Sequence, residues 1–474
     1  MLSDHLRTTW GRWALYLRYI PSAAALLMIC PVPGYGQTTV APATGPQSIS
    51  FGGAGWAWMS QFANPALVGS LYMTPDWPMT GYYPLFPGAY SRVAPGDGVT
   101  LGPVRLHPSM GIAELYTDNV FRTNTNRQSD FATTLAPAIQ AEVPFAGSHT
   151  FIADYRTNIQ FFNETPSNNV QDQTASGRFN FSFPGGLQFD LQGEHKLGHD
   201  PRGSALDTQN FDINKWTANS VIGRAAYDGA NAGISMNLSS IRWTYLNNDQ
   251  GVFRDRLSNY LGTTFRATLT GKTSALVNVG VNQELYDQTT TLNSTTYSAS
   301  AGLRWNVTDV SYGEVLGGYQ YLKFNNASTA ESQSSAFART ADSYGNFFFM
   351  GNFGWTPTPF LTVAFQGYRT FQQTVVFNSL FFTATGANLS AVHELGDRAA
   401  LTLNMGLEHD DFQSSSDSNS NRVDLIKSVS AGIRYRALKW VGAGLQYVYE
   451  NRSSTSQQFE YYANTVMLSL QASF

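Results

Sequence analysis

Few residues in this 474-residue chain stand at spacings that could do chemistry. Glu194-His195-Lys196-Leu197-Gly198-His199 sets two histidines four apart, which on a helix is a metal-ligand spacing. On a strand the pair shares a face but lies about 13 Å apart at ~3.3 Å per residue, too far to share one ion. Glu408-His409-Asp410-Asp411 could hold a divalent cation, against the plainer reading of a solvated acidic rim. His393-Glu394 lacks the second histidine of a zinc-protease helix, and neither a Gly-x-Ser-x-Gly elbow nor a phosphate-cradling glycine loop is present. No catalytic, cofactor-binding or metal residues are therefore expected. An enzyme built from scattered Ser, His and Asp remains only as a third alternative.

The remaining charged residues follow a different rule. Asp154, Arg156, Arg178, Asp190, Glu194, Arg256, Arg266, Glu284, Arg304, Glu314 and Arg434 alternate with apolar neighbours at period two, the repeat of a strand whose side chains point to opposite faces. Gly177 to Gly193 is the clearest unit. Phe179, Phe181 and Phe183 alternate with polar residues, Pro184-Gly185-Gly186 reverses the chain, and Leu187, Phe189 and Leu191 alternate again. The same pattern returns in Leu261, Phe265 and Leu269, in Val277, Val279 and Val281, in Leu401, Leu403, Met405 and Leu407, and in Val429, Ile433 and Tyr435. From Ser109 to Phe474 the pattern predicts eighteen strands of roughly 14 residues, longer than the ~5 to 6 of globular sheets and the ~9 to 11 that cross a bilayer.

The connections alternate as well. Short turns are expected at Ala146-Gly147, Pro184-Gly185-Gly186, Asp228-Gly229-Ala230-Asn231, Gly271-Lys272, Thr308-Asp309, Pro357-Thr358-Pro359, Gly396-Asp397 and Ala437-Leu438. Longer polar loops fall at 118–129, 163–170, 199–211, 247–253, 325–338, 412–421 and 452–459, with shorter connections near 290 and 376. Short periplasmic turns, longer outer loops and an even strand count describe a transmembrane, up-and-down, antiparallel all-β barrel. Closure removes the exposed edges that a secreted sandwich would have to protect.

Composition agrees. The chain has 24 Tyr, 31 Phe and 42 Gly, with 14% aromatic and 13% charged residues, while mean hydropathy is only -0.22. Strands with one apolar and one wet face give that combination. A net charge of -4 offers no basic stripe for nucleic acid.

Residues 1–36 place Arg7, Arg12 and Arg18 before an apolar stretch from Ile20 to Val32 and the small residues Gly34 and Gly36, the order of a secretory signal peptide cut after Gly36. Cys30, the only cysteine, falls within it, and Ile29 stands where a lipoprotein signal has a small residue. Residues 37–108 hold ten of the twenty prolines and read as a Gly/Pro/aromatic-rich periplasmic extension. The barrel then occupies 109–474, in the outer membrane of a Gram-negative cell. The alternation of Val466, Leu468, Leu470 and Ala472 before the terminal Phe474 resembles the C-terminal signal read by the barrel assembly machinery.

Tyr116-Thr117-Asp118-Asn119-Val120-Phe121-Arg122, followed by Ser129-Asp130-Phe131 and Ala136-Pro137 at the entry to these strands, resembles the putative β-barrel porin 2 family. That resemblance implies an outer-membrane channel, not an enzyme, which exports exopolysaccharide received from a periplasmic export protein. Read on the residues alone, Asp118 and Asn119 at a strand end are a loop staple before they are a ligand site. The polar phase, with Tyr260, Tyr286 and Tyr368, is expected to face a lumen carrying polysaccharide or small solutes. Its mixed charges are expected to pair along the wall. Lipid and lipopolysaccharide are the outer partners, the latter also at 408–411. The alternatives are a general or solute-specific diffusion porin and a barrel with a closed lumen.

Overall fold

The computed structural model describes residues 98–147, 149–203, 212–308, 310–326, 341–373, 379–414 and 422–474. The signal-peptide reading of 1–36 and nearly all of the extension lie outside them. A short strand β1 (Val99–Leu101) precedes β2 (Val104–Thr117), β3 (Asp130–Phe145), β4 (His149–Phe162), β5 (Val170–Ser182), β6 (Leu187–His199) and β7 (Lys215–Asp228). Next come β8 (Ala232–Tyr245), β9 (Arg256–Thr270), β10 (Thr273–Tyr286), β11 (Ser294–Thr308), β12 (Ser311–Phe324) and β13 (Ser343–Thr358). The chain ends with β14 (Leu361–Gln373), β15 (Ser379–Leu395), β16 (Ala399–Ser414), β17 (Val423–Leu438), β18 (Val441–Ser454) and β19 (Tyr461–Ser473).

From β2 to β19 each strand pairs antiparallel with the next, and β19 pairs back onto β2 from Thr465 opposite Thr117 to Ser473 opposite Ser109. The result is a closed barrel of eighteen strands. Among the described residues, closure in this register leaves none of the eighteen strands β2 to β19 at an open edge, a necessity in lipid, where no water can satisfy a backbone group. Among the described residues no helix is long and apolar enough to cross a membrane; strands do the crossing. The expected apolar phase is the outer one. Leu261, Phe265, Leu269, Val277, Val279, Leu401, Leu403, Met405, Leu407, Val429, Ile433 and Tyr435 are all exposed on it. Gly186, at φ +89°, allows the expected Pro-Gly-Gly reversal, since a Cβ there would lie 2.6 Å from the Asp228 carbonyl oxygen.

Several boundaries differ from expectation: β5 begins at Val170, β6 runs through His199, β16 through Ser414 and β18 through Ser454, each one to three residues inside an expected loop. The barrel begins at Val104 rather than Ser109, because Pro103 falls in the β1–β2 turn and Pro108 lies just outside the part of β2 that β19 pairs. Pro357 and Thr358 belong to β13 instead of the following turn. Pairing with β14 is interrupted between Trp355 and Thr358, and this bulge accommodates a residue with no N–H. Ala437 and Leu438 likewise extend β17 through a register shift between Arg436 and Leu438, moving the turn to Lys439-Trp440. The expected Thr308-Asp309 turn, the loop 199–211 beyond Gly203, the loop 325–338, the connection near 376 and most of 412–421 reach outside the described residues.

Candidate functional site: the barrel interior and its outer mouth

Cross-strand neighbours share a face, so register shows what the interior carries. Asp154, Arg156, Arg178, Asp190, Glu194, Arg256, Arg266, Glu284, Arg304, Glu314 and Arg434 all lie on the phase opposite the exposed apolar residues. Arg304 stands directly opposite Glu314, and Ile152, Arg178 and Gln192 run side by side across β4, β5 and β6. Charges on this wall are matched locally. Arg304 bonds Glu314 at 2.6 Å, Arg256 bonds Glu284 at 3.2 Å, Arg156 bonds Asp154 at 2.6 Å and Lys196 bonds Glu194 at 3.0 Å. Arg266 reaches Asp228 at 2.6 Å and Arg224 reaches Asp190 at 3.5 Å, while Arg178 donates to Gln192 at 2.6 Å. Between these pairs the face carries hydroxyls and amides, Ser294, Thr296, Ser298 and Ser300 on β11, Asn278 and Asn282 on β10 and Gln320 on β12, together with the buried Leu276, Leu316 and Leu322.

Toward the outer end the interior becomes aromatic and packed. Trp216 and Trp243 meet edge to face at 5.0 Å, and Phe382 stacks on Phe412 at 4.8 Å. Tyr260, Tyr286 and Tyr368 are on this inner face but buried, and Tyr368 donates to Glu408. Only half of the acidic run 408–411 is solvated, since His409 and Asp411 are exposed on the outer phase. Glu408 and Asp410 are buried on the inner face, where Asp410 stands opposite Asp424, and Asp424 is in turn bonded by Arg422 and by Arg452 at 3.2 Å. Arg422 is held between the Phe412 and Phe459 rings, 4.4 and 3.4 Å from their centroids. Among the described residues no group of three or more His, Cys, Asp or Glu is placed to hold a metal ion. The two histidines of 194–199 part company: His195 meets Asn219 at 2.7 Å and His199 meets Asp172 at 2.8 Å.

The motif residues form the rim where the first and last barrel strands meet. Asp118 accepts hydrogen bonds from the backbone N–H of Asn464 at 2.8 Å, from its side-chain amide at 2.7 Å and from Arg127 at 2.6 Å. Partial burial pushes the Asp118 carboxyl up, but the bonds from Asn464 and Arg127 outweigh it and hold it below the usual carboxylate range. Asn119, fully buried, donates to the carbonyls of Thr123 at 2.8 Å and Tyr462 at 2.9 Å. Asp130 accepts from the backbone N–H of Phe131 at 2.7 Å, of Glu164 at 3.1 Å and of Thr165 at 2.9 Å, and from the Thr165 hydroxyl. The Tyr116 and Phe131 rings lie 4.9 Å apart on the outer face, Ser129 is exposed beside them, and Phe121 lies under the Arg202 guanidinium. The geometry is that of staples between loops.

Sequence reading missed three groups at this mouth. Arg122 forms a buried ion pair with Glu450 at 2.7 Å, Asp200 pairs with Arg254 with both side chains buried, and Tyr461 donates to the Gly203 carbonyl at 3.3 Å. Burial works against the Arg254 charge, yet Tyr245 and Asp200 beside it keep the guanidinium above its ordinary value. Arg122 falls in the expected loop 118–129 and Arg254 just past the expected loop 247–253, but nothing in the sequence shows their partners.

An eighteen-stranded barrel with an apolar outer band and a polar, charge-paired interior is an outer-membrane barrel of the porin class. Residues 95–474 match the family model described as Putative beta-barrel porin 2, and the chain belongs to that family. Solved structures with a similar fold include Pseudomonas aeruginosa OpdK with vanillate, at 11% identity and TM-score 0.45 over 78% of this chain and 99% of that one. A BenF-like porin from Pseudomonas fluorescens Pf-5 matches at 10% identity and TM-score 0.44, over 78% and 99% of the two chains. No curated protein matches the chain.

Proposed function

We propose that this porin-like barrel carries exopolysaccharide from the periplasm to the exterior. The observation that carries the reading is the local pairing of wall charges, such as Arg304 with Glu314 and Arg256 with Glu284, beside rows of hydroxyl and amide groups. A pore selecting an ionic solute needs a ring of one sign, whereas paired charges present little net field. Hydroxyls and amides offer a sugar chain many weak, exchangeable bonds, so that it leaves as readily as it enters. In this reading a periplasmic export protein delivers the polymer at the short-turn end, where the extension that precedes β2 supplies a docking segment. Phe474, stacked on Trp440 at 5.0 Å, presents the last strand to the assembly machinery.

Purified full-length protein in planar bilayers tests the reading. Oligosaccharide fragments of the polymer that the source cell secretes should block the ionic current reversibly, with dwell times that lengthen with chain length. Blockade no different from that of polyethylene glycol of equal size would favour a general diffusion porin instead.

A further inference from the structure

Asp200 still bonds the Asn214 carbonyl through its N–H at 2.9 Å, and beyond it the chain leaves the line of its own strand pair. Asp200, Arg202 and Gly203 are buried and are tied to three other parts of the mouth. The Asp200 carboxylate accepts from Arg254, from the Asn214 amide at 3.2 Å and from the Tyr245 hydroxyl at 3.4 Å. Arg202 donates to the Asn168 side chain at 3.0 Å and covers the Phe121 ring at 5.4 Å. The Gly203 carbonyl accepts from Tyr461. Phe121 and Asn168 belong to the β2–β3 and β4–β5 loops, and Tyr461 opens β19, which β2, β3, β4 and β5 separate from β6 around the barrel. The chain at 201–203, starting from the wall at Asp200, thus subtends a sector of the outer mouth. Gly203 has φ +74°, and a Cβ there would lie 2.6 Å from the Tyr461 hydroxyl, so the close approach requires glycine.

We propose that Asp200–Gly203 is a strap that narrows the outer mouth, held down by the Asp200–Arg254 pair, the Arg202–Asn168 bond and the Tyr461 hydroxyl, and that its release widens the channel. The catches are polar, and Pro201 is the one apolar side chain of the strap itself, Asp-Pro-Arg-Gly. A buried ion pair is firm while both partners are present and strongly unfavourable once one is withdrawn, which gives the device two states rather than a continuum. A hydroxyl-bearing chain arriving from within offers Tyr461 and Asn168 substitute partners. The strap requires only that the barrel conducts; its cargo need not be a polysaccharide.

Single-channel recording of the full-length protein in potassium chloride separates the two questions, because small ions report the strap whatever the cargo. Tyr461→Phe and Arg202→Gln should each raise the ratio of wide to narrow conductance states about fivefold, the change expected for loss of one net hydrogen bond. Asp200→Asn should do the same or more. Heat-modifiable gel migration establishes that each variant has folded. If Asp200→Asn fails to fold, the first two variants still decide. Folded variants with the wild-type distribution of conductance states, or with no conductance, would overturn the proposal.

Discussion

The carboxylate of Asp118 and the backbone N–H of Asn464, 346 residues apart in sequence, are hydrogen-bonded at 2.8 Å where the barrel's last strand closes on its first. The same carboxylate takes the Asn464 side-chain amide and Arg127. A motif at the head of the barrel therefore acts by gripping its tail. Asp118→Ala should lower stability by about 1–3 kcal/mol, the cost of leaving partners of a charged acceptor unmatched. Chemical unfolding from detergent micelles, followed by tryptophan fluorescence, measures it.

The same contact has a pH signature. The Asp118 carboxyl is held below its unfolded value, so its contribution is complete above the unfolded pKa of 3.8 and is lost as pH falls through the lower folded value. The stability difference between wild type and Asp118→Asn should be constant near neutrality and shrink only in acid. A difference that disappears between pH 6 and 8 would assign the effect to another group.

Asp130 should be the costlier residue to lose. Its carboxylate collects the backbone N–H groups of Phe131, Glu164 and Thr165 as well as the Thr165 hydroxyl, all at the buried junction of two loops. Asp130→Ala strands several donors, each at about 1–3 kcal/mol, while Thr165→Val removes one bond worth about 1 kcal/mol. Equal losses in the two unfolding curves would contradict the staple.

Wall pairing makes a directional forecast for ion selectivity. Removing Arg304 leaves Glu314 without its 2.6 Å partner and should turn the pore toward cations; Glu314→Gln should turn it toward anions. Reversal potentials across a salt gradient report the sign, and the double variant should return close to wild type.

How much of this was legible in the sequence depends on the range of the interaction. The alternation of Val277, Val279 and Val281 with polar neighbours is local, so strand count, phase and most turns could be read directly. The bulges after Trp355 and Arg436 were not legible, because pattern alone cannot say where a ladder slips. The packed aromatic groups inside β13 to β16 were hidden too. In Ser379-Leu380-Phe381-Phe382 apolar residues occupy both phases, and all four are buried. Glu408 and Asp410 looked like a wet rim because Arg422 and Arg452, which surround that patch, come from elsewhere in the chain. Contacts made across the mouth, such as Asp200 with Arg254, leave no periodic trace.

Lipid exposure of the apolar phase is open to a simple check. Val279, near the middle of β10 and 44% exposed, sits on the outer band. Val279→Arg should cost about 2–4 kcal/mol in a bilayer, the penalty for a cation at the midplane of a barrel wall. Folding yield into lipid vesicles measures it.

The central claim is that this barrel is the outer-membrane passage for a secreted polysaccharide, and a strain lacking the chain tests it most directly. Polymer on the cell surface and polymer in the periplasm are quantified side by side, with and without the wild-type gene restored. The account predicts that polymer accumulates in the periplasm and that restoration returns it to the surface. Normal surface polymer in the deletion strain would contradict it.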